Sequence, residues 1–556
     1  MKHIILTAAV ALAATMLTHD SLMAQSNTIV TTAYGQLEGT VESGITVFKG
    51  VPFAAPPVGD NRWRAPQPLQ PWHGVRSAKV FGDDPMQLPI FGDMGFEAER
   101  KSEDCLYLNI WTPAKTMAEK LPVVIYFNGG GLLAGSGSEP RYAGHTLARH
   151  GIVAITANYR EGIFGFFAHP ELSKETSYKG SGNYGMMDQA AAIRWVHENI
   201  GAFGGDPEQI TIVGESAGSM SVSAMLATPL THGMISKAMA SSGSECDARM
   251  LTVSEAEQQG VEALRKAGIK NIKAARAMNA DTLQARLSTN GVPKLVVDGY
   301  TFTEPVSEAY RAGRQQHVPL LVGRNSLEMP VTAMLQGQQP TLDNVRKLLE
   351  TMYGDKADEA MTLYGFASDA DVVGKAGADL GSDIFIAYST WLFGYLHAKT
   401  SGQPVYRYYY AHPRPAMRMQ GVKAALAGGV VKDDESTEGE SLEKMSLESG
   451  EKKSLESKAK EFSGAVHSAD IEYAMGTLPT NRVYDWQPAD YQVSAQFMGY
   501  YANFIKTGNP NGLGLAEWHT INNQQYPPML ILDVNSHEVT DTTFEKRNLF
   551  IMQNKK

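Results

Sequence analysis

The sequence predicts an α/β fold built on a mostly parallel β-sheet covered by helices, and three observations predict it. Continuous apolar runs of strand length, Leu121–Phe127 and Ile152–Thr156, and the run that begins at Val318, read as strands buried on both faces. Residues 187–200 carry apolar side chains at helical spacing, with Ile193, Val196 and Ile200 on one face. The order strand, glycine-rich loop, helix, strand is that of right-handed crossovers. In such sheets ligands bind beyond the carboxyl ends of the strands. Gly129-Gly130-Gly131 and Ser216 both follow strand ends.

Taken in order, the chain opens with Lys2 and His3 before the apolar run Ile4–Leu17, and Ala24 can precede a cleavage site. That is the layout of a secretory signal, so residues 1–24 are set apart as a leader and 25–556 as a single domain. Leu22 departs from the small residue that such a site prefers, and no cysteine follows the run to carry a lipid anchor. The chain has 556 residues, 43% of them hydrophobic, enough for a large core. Its net charge of −10 argues against nucleic acid or an anionic membrane surface as partner. With only 2 cysteines it is no disulfide scaffold. The absence of any Asn-x-Ser/Thr acceptor in an exported chain argues for a bacterial source, periplasmic or secreted.

Residues 28–32 and 45–48 are short β-rich runs. The proline-rich stretch from Lys49 to Gly59, with Arg62-Trp63-Arg64-Ala65-Pro66 after it, reads as an ordered surface loop. Glu103-Asp104-Cys105 leads into a strand, and 142–150 can hold a helix. Gly204-Gly205-Asp206-Pro207 breaks the chain before the run Thr211-Ile212-Val213. That run ends in Gly214-Glu215-Ser216-Ala217-Gly218 and a helical stretch through Leu226. Strand, Gly-x-Ser-x-Gly and helix together form a nucleophile elbow, which lifts a serine hydroxyl out of a sheet. In a chain with 53 glycines the five-residue pattern alone carries little weight, and the flanking strand and helix raise it.

Glu103-Asp104-Cys105-Leu106-Tyr107-Leu108-Asn109 and Phe203-Gly204-Gly205-Asp206-Pro207 leading to Gly214–Gly218 resemble the two signatures of the type-B carboxylesterase family. Asn158-Tyr159-Arg160, Gly182–Gly185, Asp188-Gln189, Pro293–Gly299 and Tyr501–Pro510 fall in that family's order. The resemblance spans nearly all of the chain beyond the leader. It implies the α/β-hydrolase fold and a serine esterase that needs no cofactor and no metal.

By that resemblance Ser216 is the nucleophile, Glu328 the orienting acid and His467 the base, in the order such enzymes use. A serine hydroxyl needs a base within hydrogen-bond reach, and the base needs an acid to orient it. Leu327 stands where relatives usually carry aspartate. The oxyanion donors implied are the N–H groups of Gly130, Gly131 and Ala217, since glycine lets backbone N–H groups turn to a substrate carbonyl. Asn128 sits where many relatives carry His or Tyr, and Leu132 where many carry an aromatic residue. Cys105 lacks the upstream partner that relatives often have, which points to a free, buried thiol, while the sequence leaves a bridge to Cys246 open. Residues 432–460, dense in Glu, Lys and Ser with Ser-Leu-Glu starting at 441, 446 and 454, read as an inserted, solvated segment or a flap near the site.

Two other readings compete. Gly129-x-Gly131-x-x-Ala134 after a strand loosely fits a dinucleotide fingerprint, but the next strand ends near Asn158-Tyr159-Arg160 without the acid that would hold a ribose. A non-catalytic binding protein on the same fold is the second, and such relatives lose members of the triad that this chain keeps. Small-molecule carboxylic esters are the expected partners, with polysaccharide feruloyl or acetyl esters as a narrower candidate.

Overall fold

The computed structural model describes residues 28–91, 94–287, 291–418, 421–424, 430–432 and 462–555. The expected leader, residues 1–24, lies outside them, and so do residues 433–460 of the charged segment. Eleven strands form one sheet: β1 (Thr40–Glu42), β2 (Ile45–Pro52), β3 (Tyr107–Thr112), β4 (Leu121–Phe127), β5 (Val153–Ala157), β6 (Gly205–Glu215), β7 (Lys237–Ser241), β8 (Leu320–Asn325), β9 (Val405–Tyr410), β10 (Met529–Leu532) and β11 (His537–Val539). Their spatial order is β1-β2-β3-β5-β4-β6-β7-β8-β9-β10-β11. Every neighbouring pair from β5 to β10 is parallel, and the pairs at both margins are antiparallel.

The alternation along β4 shows why its sequence is apolar throughout. Val123, Ile125 and Phe127 enter one buried cluster, while Val124 and Tyr126 enter another on the opposite face. On the first face lie α1 (Tyr184–Asn199), α2 (Ala217–Ala227), α3 (Tyr388–Thr400) and the C-terminal helix α5 (Thr542–Asn554), through Ile193, Val222, Leu392 and Phe550. On the second lies α4 (Pro488–Thr507), through Phe497, Tyr501 and Phe504. No helix of the described residues is long and apolar enough to cross a membrane.

Three expectations shift at their edges. The proline-rich stretch is not loop from Lys49 onward: β2 runs to Pro52, with a register shift between Phe48 and Val51. Gly50, at φ +68°, supplies the bulge that lets a strand absorb this sequence. Gly204 does turn the chain, at φ +78°, yet β6 starts at Gly205 and pairs with Leu121 before an irregularity ahead of Ile210. The expected helix near 142–150 is a 3-10 turn, Pro140–Tyr142, followed by one short helix, His145–Arg149. Cys105 and Cys246 are both free and buried.

Candidate active site

Strand β6 ends at Glu215 and α2 begins at Ala217, so the whole reversal rests on Ser216. Its backbone sits at φ 56° and ψ −123°, outside the regions an L-residue prefers. The two glycines make this turn fit. A Cβ on Gly214 would lie 2.3 Å from the backbone of Gly218, and one on Gly218 would lie 2.1 Å from the Phe127 carbonyl oxygen. Ser216 N–H donates to the Ser241 carbonyl across the sheet at 2.9 Å, which pins the turn to β7. Gly218→Ala is therefore expected to cost about 3 kcal/mol of stability by forcing α2 away from β4, measured by urea denaturation. A variant as stable as the parent would show that the elbow has slack.

The residues expected at 328 and 467 come to this turn from far along the chain. His467 Nε2 is 2.9 Å from Ser216 Oγ, and His467 Nδ1 is 2.7 Å from Glu328 Oε2. The second oxygen of Glu328 accepts from Asn325 N–H and from the Ser242 hydroxyl, each at 2.6 Å. The backbone N–H of Glu328 donates to Ser382 Oγ at 3.0 Å. Leu327, the departure from the usual aspartate, works through its backbone: it bridges to Val466, and its N–H donates to the Ala465 carbonyl at 2.9 Å. The loops that carry acid and histidine are thereby stitched together next to the two side chains.

His467 is buried, and the Phe385 ring packs against it in a T-shaped arrangement, ring centroids 5.1 Å apart. Burial alone would depress its pKa. The carboxylates of Glu215 and Glu328, with Asp470 beyond them, outweigh burial and hold the ring above the ordinary histidine value. Glu215 Oε1 lies 3.3 Å from Nε2, and burial pushes this carboxyl well up from its ordinary value. Neither Glu215 nor Asp470 stands out in the sequence as part of this cluster, although Glu215 is a letter of the elbow itself. Ser242, Asn325 and Ser382 were equally invisible, because only the folded chain brings them to Glu328.

The glycine loop lies on the elbow. A Cβ at Gly129 would be 3.1 Å from Ser216 Cβ. Gly130 and Gly131 take φ values of +109° and +67°, and a Cβ on Gly130 would collide with the Ala134 carbonyl oxygen at 1.9 Å. Among the described residues, no group accepts a hydrogen bond from the N–H of Gly130, Gly131 or Ala217. Ala217 is the first residue of α2, where N–H groups have no partner inside the helix. Apolar side chains lie nearby: Met94 beside Gly130, Val292 and Leu133 beside Gly131, Met220 and Ile386 beside Gly243, and Phe385 against the His467 ring. Among the described residues no group of three or more His, Cys, Asp or Glu side chains could hold a metal ion.

Residues 26–551 match the model of the carboxylesterase family. The chain belongs to that family. Among its relatives in it, the fumonisin B1 esterase of Sphingopyxis macrogoltabida is 39% identical over 64% of this chain and 66% of its own length. The para-nitrobenzyl esterase of Bacillus subtilis is 38% identical over 53% of this chain and 62% of its own. A medium-chain fatty acyl-CoA hydrolase precursor of Anas platyrhynchos is 31% identical over 88% of this chain and 86% of its own. The crystal structure of a carboxylesterase from Geobacillus stearothermophilus superposes with a TM-score of 0.75 and 29% identity, covering 94% of this chain and 99% of that one. This carboxylesterase-family chain thus has the α/β-hydrolase fold that its motifs implied.

Proposed function

We propose that this protein hydrolyses carboxylic esters through an acyl-enzyme on Ser216, with His467 as base and Glu328 as orienting acid. The observation that carries the reading is the unbroken line from Glu328 Oε2 through the His467 ring to Ser216 Oγ, at 2.7 and 2.9 Å. His467 takes the serine proton as Oγ attacks the ester carbonyl carbon. The carbonyl oxygen becomes an oxyanion beside the N–H groups of Gly130, Gly131 and Ala217. The imidazolium, stabilised by Glu328, then protonates the departing alcohol. A water molecule, deprotonated by the same ring, attacks the acyl carbon and frees the acid. Each correctly placed oxyanion donor is worth about 10²–10³ in rate. No cofactor takes part in this scheme.

The apolar side chains beside the glycine loop support an ester with an apolar acyl or alcohol group, and one relative is named as a medium-chain fatty acyl-CoA hydrolase. The leader motif supports export from a bacterial cell. A purely binding role on this fold would leave the presence of all three residues, in register, without a reason.

The test is hydrolysis of p-nitrophenyl acetate through octanoate, followed across pH. Only neutral His467 can accept the serine proton, so the rate should rise with pH as the ring loses its proton. Because the Glu215 carboxylate favours the protonated ring, Glu215→Gln should move this acid limb to lower pH. A folded protein that neither turns over these esters nor reacts with a fluorophosphonate at Ser216 would sink the proposal.

A further inference from the structure

The peptide that would present the first oxyanion donor is held from behind by a side chain outside the triad. Asn128 Nδ2 donates to the Gly129 carbonyl oxygen at 3.0 Å and to Glu161 Oε1 at 3.0 Å. In a trans peptide the C=O and N–H point in opposite directions. Fixing the Gly129 carbonyl on Asn128 therefore aims the Gly130 N–H the other way, out of this network. There is no slack around the pair. A Cβ on Gly135 would lie 2.0 Å from Asn128 Nδ2 and 2.7 Å from the Gly129 oxygen, and Gly135 is itself clamped by two hydrogen bonds to the Gln87 amide, both 2.9 Å.

The segment that carries Glu161 grips the same loop twice more. The Tyr159 hydroxyl donates to the Asn128 carbonyl at 2.9 Å, and Gly162 N–H donates to the Leu132 carbonyl at 2.7 Å. Glu161 is 1% exposed, yet among the described residues no cation pairs with it: its neighbour Arg160 is committed to Asp188 at 2.7 Å. Its Oε2 has no partner among the described residues. A carboxyl kept this deep without a counter-charge costs folding free energy. Burial moves its pKa well above the ordinary carboxylate value, and its Oε1 is the acceptor for Asn128.

We propose that Glu161 is a positioning residue for ester hydrolysis: through Asn128 it holds the Gly129–Gly130 peptide in the orientation that offers the Gly130 N–H to the oxyanion. This rests on the oxyanion role proposed above. It concerns the transition state and not substrate binding, because the N–H meets full negative charge only there.

The experiment compares the native protein with Glu161→Leu, Glu161→Gln and Asn128→Leu. It measures kcat and KM on p-nitrophenyl butyrate, inhibition by an alkyl trifluoromethyl ketone and by its methyl ketone counterpart, and thermal melting. The trifluoromethyl ketone forms a tetrahedral adduct whose oxygen occupies the oxyanion position; the methyl ketone stays trigonal. Glu161→Leu should lower kcat roughly 10- to 100-fold with KM within about twofold, and weaken the trifluoromethyl ketone by the same factor. Inhibition by the methyl ketone should stay the same. Glu161→Gln, which keeps a side-chain carbonyl oxygen as acceptor for Asn128, should recover most of the loss. Should Glu161→Leu fail to fold, Asn128→Leu carries the same expectation. If the native protein does not prefer the trifluoromethyl ketone, the oxyanion reading itself fails. If it does, and both leucine variants keep that preference, the positioning role is overturned. It is overturned as well if Glu161→Gln is as damaged as Glu161→Leu.

Discussion

Replacing Ser216 with alanine is expected to lower kcat on p-nitrophenyl esters about a million-fold, the scale on which removing a serine nucleophile acts in other hydrolases. The size follows from the absence of a substitute. Ser219 is the nearest serine on α2, and its hydroxyl is committed to the Gly243 carbonyl at 2.6 Å. Ser242 is committed to Glu328 at 2.6 Å. Neither can turn to the ester without giving up a buried hydrogen bond. The alanine side chain removes one hydroxyl from a half-buried site and leaves the Gly214–Gly218 contact intact, so the melting temperature should stay within a few degrees. Residual activity above about one part in a thousand, in protein free of the parent enzyme, would mean that another group attacks the ester. Intact-mass measurement after fluorophosphonate treatment gives the same answer independently: the native chain should gain one adduct and the variant none.

Glu328→Gln should cost about 10⁴ in kcat with little loss of folding. The amide oxygen can still accept from Asn325 N–H and the Ser242 hydroxyl, which are the contacts that seat this side chain. What changes is the atom facing His467 Nδ1. A carboxylate oxygen requires a proton on Nδ1 and leaves Nε2 free to accept from Ser216. An amide NH₂ at the same place donates to Nδ1, moves the ring proton to Nε2, and removes the base from the nucleophile. Loss of the carboxylate charge also lets His467 deprotonate more readily, so the acid limb of the pH–rate profile should move to lower pH while the plateau drops. A loss under tenfold would shift the orienting role to another buried carboxylate, with Asp470 and Glu215 the two in reach of the ring's charge.

The parts of this molecule that can be read from its sequence are those whose reasons are local. Strand β4 is bounded by the same residues in sequence and structure because both faces of it are buried, which leaves a run of apolar residues with clear ends. Ser216 is legible because its turn demands glycine two residues away on each side. Glu328 and His467 needed a family pattern, since a carboxylate after a strand and a histidine in a loop are common. What could not be read depends on partners far away in the chain. The extension of β2 through Pro52 is decided by its pairing with Tyr107, and proline density alone argued for a loop. The contact of Glu161 with Asn128 joins residues 33 apart whose types give no hint of each other. In the sequence Asn128 is only an odd residue beside three glycines; its acceptors, the Gly129 carbonyl, Glu161 and the Tyr159 hydroxyl, are brought to it by the folded chain.

Ser216 and His467 are separated by 251 positions, and Glu328 and His467 by 139. This spacing has a meaning during biosynthesis. A nascent chain that has left the ribosome only as far as β9 contains the elbow, the glycine loop and the acid, but no base. The Leu327–Val466 bridge beside the histidine loop cannot form until residue 466 has been made. On the proposed mechanism, a chain truncated before that bridge carries Ser216 without its proposed base, so ester hydrolysis should begin only once most of the polypeptide exists.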